Sequence, residues 1–126
     1  MLKIAALVFA AVFLLIGILG FVPAAIPDGN LLGIFKVDTL HNIIHLLSGA
    51  VALYVGLTSE AHSKLYFQVF GSVYALVTLV GFLQYNSPTE LGLFAINPAD
   101  HCLHLVLAVA MLAIGFGLRP KTTVSA

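Results

Sequence analysis

Of the 126 residues in this chain, 61% are hydrophobic and 8% are charged, with a formal net charge of zero and a mean hydropathy of +1.12. So few charges cannot clothe a soluble domain of this length, and the composition points to a multi-pass membrane protein. The lack of a basic run gives no footing for nucleic acid, and a lone cysteine, Cys102, excludes an intrachain disulfide.

The first apolar block, Ile4 to Val22, follows Lys3 and contains no polar side chain. A secretory leader also opens on a positive charge, and Pro23-Ala24-Ala25 has the look of a cleavage site. The apolar run nevertheless exceeds the roughly 7–15 residues of a leader core, so it is read as a retained first span. Pro23, Pro27, Gly29 and Asn30 then break helix on the way to Asp38. Within this connection Leu31-Leu32-Gly33-Ile34-Phe35 is apolar but too short to span, and is expected at the interface or tucked against the bundle.

A second span is predicted from about Thr39 to Leu57, with the Asp38 carboxylate capping its free amides. Ser59 to Lys64 reads as a short polar turn that makes its neighbours antiparallel, and a third span follows over about Leu65 to Leu83. Gln84 to Asn97 forms the third connection. The fourth span opens on Asn97-Pro98-Ala99-Asp100, which combines a cap, a proline at the first helical position and an acid at the third. It is expected to end near Leu118, before Arg119, Pro120 and Lys121.

The halves of the chain overlay. Leu32-Gly33-Ile34-Phe35 matches Leu91-Gly92-Leu93-Phe94 at an offset of 59, which also pairs Asp38 with Asn97, Asn42 with His101, His45 with His104 and Gly56 with Gly115. Gly20-Phe21 matches Gly81-Phe82 at an offset of 61. The expectation is one all-α membrane domain over residues 1–126. It would hold four transmembrane helices in two duplicated hairpins, about 1–58 and 65–118, related by a pseudo-two-fold along the membrane normal. With four spans, Lys3, Lys64, Arg119 and Lys121 share one side and Lys36 stands on the other. Both termini are therefore expected in the cytoplasm, with the polar helix starts toward the outer face.

Those helix starts carry the polar chemistry. His41 and His45 are four residues apart and stand on one helix face, bordered by Asn42 and continued by Gly49, Ala52 and Gly56. Asp100 and His104 repeat the spacing on the fourth span, with His101 in the place of Asn42. Ionisable groups at membrane depth are costly and point to function. Three functional readings follow: a transition-metal site of His41, His45, Asp100 and His104, zinc being the simplest occupant; a b-type haem held axially by His45 and His104; or a proton-handling cluster. The alternative is a structural or accessory membrane protein in which His45 and His104 form an interhelical hydrogen-bond latch.

No nucleophile elbow, phosphate-cradling glycine loop or H-E-x-x-H is present, so no catalytic residue is assigned. Ser48 is expected to bond back to its own helix, Cys102 to serve as a small apolar packing residue away from His104, and His62 to be solvated. The expected partners are the lipid bilayer and either another membrane protein or a second copy of this chain, with no nucleic acid.

The segment from Leu32 to Gly49 (Leu-Gly-Ile-Phe-Lys-Val-Asp-Thr-Leu-His-Asn-Ile-Ile-His-Leu-Leu-Ser-Gly), together with Asp100-x-x-x-His104-Leu105, resembles a widespread family of small bacterial four-span membrane proteins known as a domain of unknown function. The resemblance implies four helices and a bacterial plasma membrane, and it supplies no activity. His101 departs from the asparagine expected there, which sets a ligand role for it apart from the rest of the site.

Overall fold

The computed structural model describes residues 1–36, 39–84 and 98–120. The expected caps Asp38 and Asn97 and the second Leu-Gly-Leu-Phe element lie outside the described residues. Four helices dominate: α1 (Leu2–Leu19), α2 (Thr39–Thr58), α3 (Glu60–Gln84) and α4 (Pro98–Gly117). All four are long and apolar enough to cross a membrane; twenty residues of helix rise about 30 Å, the thickness of a hydrocarbon core. The protein is an all-α, four-span membrane protein.

The apolar runs form helices because hydrocarbon offers the backbone no partner, so each amide must bond within its own segment. In α1 the buried residues Leu2, Ala6, Ala10, Phe13 and Gly17 recur at three or four positions and make one stripe. Ile4, Val8, Leu15 and Ile18 point outward and are more than half exposed, as a lipid-facing surface requires. On α2 the buried stripe changes character along its length. It is polar at the start (His41, Asn42, His45, Ser48) and small or aliphatic toward the end (Gly49, Ala52, Val55, Gly56).

The chain packs as two tight hairpins, α1 against α2 and α3 against α4, with α3 also lying against α2 and α1. The connection from α1 to α2 is more ordered than a broken loop. Two 3-10 turns (Pro23–Ala25 and Pro27–Gly29) lead into a small antiparallel pair, β1 (Asn30–Leu31) and β2 (Phe35–Lys36). The reversal is made by Leu32 and Gly33, both at positive φ (54° and 75°). Leu31 is buried and β2 lies against α4, while Leu32 and Ile34 are more than half exposed.

The junction between hairpins corrects the expected Ser59–Lys64 turn. Only Ser59 separates α2 from α3, and α3 begins at Glu60 instead of near Leu65. Ser59 Oγ accepts the His62 amide at 3.1 Å as an N-cap, while Ser63 Oγ donates to Val55 O and Ser59 O at 3.0 and 2.7 Å. Polar residues that read as a loop are thus a capped first turn. That turn also grips the other hairpin and the far end of its own. Glu60 accepts the Leu2 and Lys3 amides at 3.2 and 3.4 Å, at the positive end of α1. Lys64 Nζ donates to Leu118 O, beside the negative end of α4.

Two glycines set how closely the hairpins close near the polar end. A methyl group on Gly20 would collide with the Asn42 side chain, and one on Gly81 would collide with the His101 ring. Asn42 Nδ2 donates to Gly20 O at 2.8 Å, so Gly20 both admits the amide and bonds it. Gly20→Ala is expected to expel Asn42 and lower stability by about 1–3 kcal/mol, through overpacking and the lost buried hydrogen bond. Unfolding in mixed detergent micelles measures it, and Gly117→Ala, which meets open space, should be close to silent.

Candidate metal centre

Helix geometry stacks His41 and His45 one turn apart on the inward face of α2, and the α3–α4 hairpin presents His104 to them across the bundle. The ring centroids of His41 and His45 lie 4.6 Å apart, those of His41 and His104 5.4 Å, and those of His45 and His104 6.1 Å. One ligand nitrogen from each of the three falls within 4.8 Å of the other two. All three side chains are buried, at 2–3% exposure. A metal bound at 2.0–2.1 Å by three imidazoles needs donors about 3.5 Å apart, so a small contraction of this cluster would suffice.

The remaining members of the expected site lie outside this three-histidine group. Asp100 is buried in the first turn of α4 but is not part of this three-histidine group. Asn42 and His101 are buried and occupy matching places in the two hairpins, against Gly20 and Gly81, and the His101 ring also lies 5.2 Å from Phe82. Cys102 faces outward from α4, away from the histidine cluster. His62 is exposed in the first turn of α3, as its polar setting suggested.

Beneath the histidines lies a set of residues that the spacing of His and Asp did not announce. Phe13 of α1 has its ring 5.7 Å from His45, and Tyr74 of α3 lies 5.9 Å from His104 and 5.5 Å from Phe13. The Tyr74 hydroxyl and Ser48 Oγ share a hydrogen bond of 3.0 Å, and Tyr66 donates from its hydroxyl to Ser48 O at 3.0 Å. Ser48 therefore bonds across to α3 and not back along α2. Its signal in the sequence was a hydroxyl one turn beyond His45, with buried tyrosines in the neighbouring span as its complement.

No hydrogen bond joins His45 to His104 among the described residues, and the Nδ1 atoms of both rings are buried without a partner. A buried nitrogen left unpaired costs about 1–3 kcal/mol, and in hydrocarbon no water offsets it. Neither Nδ1 is held by a hydrogen bond that metal binding would have to break.

Residues 3–117 match the model of a family described as a domain of unknown function (DUF4383). Neither a curated protein nor a solved structure matches the chain.

Tyr74 tests how firmly this floor is built. Tyr74→Phe should cost about 0.6–1.7 kcal/mol, the range for interhelical hydrogen bonds in membranes. Tyr74→Ala should cost about 3–5 kcal/mol, because it opens a cavity beside Phe13 and His104. Chemical unfolding of both variants in mixed micelles separates the two contributions.

Proposed function

Since this chain belongs to the DUF4383 family, whose description carries no activity, we propose from the site's own geometry that it is a membrane protein binding a transition-metal ion through His41, His45 and His104. One observation carries this reading. Three imidazoles converge in the bundle interior with donor atoms within 4.8 Å, where ionisable groups are expensive to keep without a purpose. Neutral imidazole nitrogen suits zinc, copper, iron and nickel. Asp100, one turn outward from His104, is not a ligand in this reading.

The packing favours an ion over a haem. His45 and His104 would have to hold a macrocycle between them, but His41 lies against both rings and Phe13 and Tyr74 close on the other sides. The interhelical latch would need a bond between the two deep histidines, whereas their Nδ1 atoms lack partners.

Elemental analysis and an absorption spectrum of the protein purified in mild detergent test the proposal. The expected result is close to one equivalent of metal per chain without a Soret band. The metal should be lost in the folded His45→Leu/His104→Leu variant and kept in Asp100→Asn. A Soret band would turn the assignment to haem. A folded, metal-free wild type that takes up no added ion would leave the accessory or latch role.

The chain is further proposed to lie in a bacterial plasma membrane with both ends cytoplasmic and the histidines toward the outer face. Lys3, Lys64, Arg119 and Lys121 on one side support this. A reporter fused after Ala126 should be active as a cytoplasmic fluorescent protein and inactive as a periplasmic phosphatase. Matching contacts also support reading the two hairpins as copies. Gly20 meets Asn42 as Gly81 meets His101, and Gly56 meets Leu7 as Gly115 meets Gln68.

A further inference from the structure

The donor set, its coordination number and its surroundings together narrow which ion the site takes, given the metal reading above. All three donors are neutral imidazoles, and neither a carboxylate nor a thiolate joins their group. Asp100 stands outside it, and Cys102, the one thiol in the chain, faces outward. The walls beside the cluster are Phe13, an apolar ring, and Tyr74, whose hydroxyl is already engaged by Ser48. Among the described residues, therefore, aromatic rings lie beside the three nitrogens, and no carboxylate or thiolate joins their group. The histidines themselves are almost fully enclosed, so bulk water does not fill that place.

Two consequences follow from elementary ion chemistry. The solvation an ion forfeits on entering a medium of low dielectric grows with the square of its charge, so a dication sacrifices about four times as much as a monocation of equal size. Zinc also completes a tetrahedron, with a fourth protein ligand in structural sites or a water in catalytic ones. A closed, uncharged, three-nitrogen pocket in hydrocarbon serves a divalent ion poorly on both counts. Monovalent copper has the same filled d shell as zinc, half the charge, and forms stable complexes with three nitrogen donors.

We propose that His41, His45 and His104 form a three-coordinate site that takes copper as Cu(I) in preference to divalent zinc or cobalt. The ligand nitrogens supply lone pairs and no electron is transferred in binding, so the ion enters and leaves as Cu(I). The site thus discriminates by charge and by number of donors, where a thiolate site would discriminate by softness.

The test uses the full chain in mild detergent under anaerobic conditions. Cu(I) is supplied with ascorbate and competed against bicinchoninate, and Zn(II) and Co(II) are titrated separately against chelators of known affinity. X-ray absorption at the copper edge reads the number and type of donors in the loaded wild-type protein. The expected result is one equivalent of Cu(I) with three nitrogen neighbours, bound at least about a hundredfold more tightly than Zn(II), a gap of two decades in dissociation constant. His104→Gln and the His45→Leu/His104→Leu variant should each lose that binding while keeping wild-type helicity. The wild-type edge spectrum stands as evidence even where a variant fails to fold. Zinc or cobalt bound as tightly as Cu(I), or Co(II) giving a four-coordinate visible spectrum, would overturn the copper preference and leave the metal site standing. Folded wild-type protein that binds none of the three would overturn the metal reading, and the copper preference with it. Cu(I) binding that survives in the folded double variant would overturn the assignment to these histidines.

Discussion

Hydrocarbon cannot hydrogen-bond, and that single constraint organises the interior of this bundle. The polar side chains placed inside it find partners on other helices or on the backbone: Asn42 on Gly20 O, Ser48 on Tyr74, Tyr66 on Ser48 O, Gln68 on Gly115 O and Thr78 on Tyr74 O. These bonds fix the facing of the helices more sharply than apolar contact does, since lipid and leucine are nearly equivalent neighbours. Against that background the unpaired Nδ1 atoms of His45 and His104 stand out. Where the two hairpins meet, the bundle leaves these two imidazole nitrogens without a bond of that kind.

The four spans were legible in the sequence because continuous apolar runs of this length have only one use. The histidine cluster was legible too, because residues four apart share a helix face and the two halves repeat the pattern. Spacing alone did not separate Asp100 from the three histidines that form one group, because it assigns a residue to a stripe and says nothing of reach. The start of α3 was hidden for a different reason. Hydropathy reads Glu60-Ala61-His62-Ser63-Lys64 as a loop, whereas the Ser59 cap and the bonds of Ser63 make it the first turn of a helix.

The sequence offered both a hydroxyl one turn beyond His45 and tyrosines in the next span, but no periodicity links residues on separate helices, so it could not pair Ser48 with Tyr74. That pairing shapes the chemistry of the site. With its hydroxyl turned toward Ser48, Tyr74 offers His104 the face and edge of a ring and not an oxygen. Ser48 is held from two sides by tyrosines of the same helix, so the floor of the site is a rigid polar knot under an apolar lining. A preorganised floor of this kind fixes the histidines' surroundings before any ion arrives.

The clasp that Glu60 makes on the start of α1 has a bearing on how the chain threads the bilayer. The Leu2 and Lys3 amides bond to a carboxylate at the start of α3, so residues 2 and 60 must occupy the same aqueous boundary. Only an even number of crossings between them permits that. A chain in which α1 failed to cross, or α2 stalled, would strand Glu60 on the wrong side, a whole bilayer from the amides it closes on. The contact thus acts as a parity check on topology, made by geometry alone and independent of which compartment either face meets.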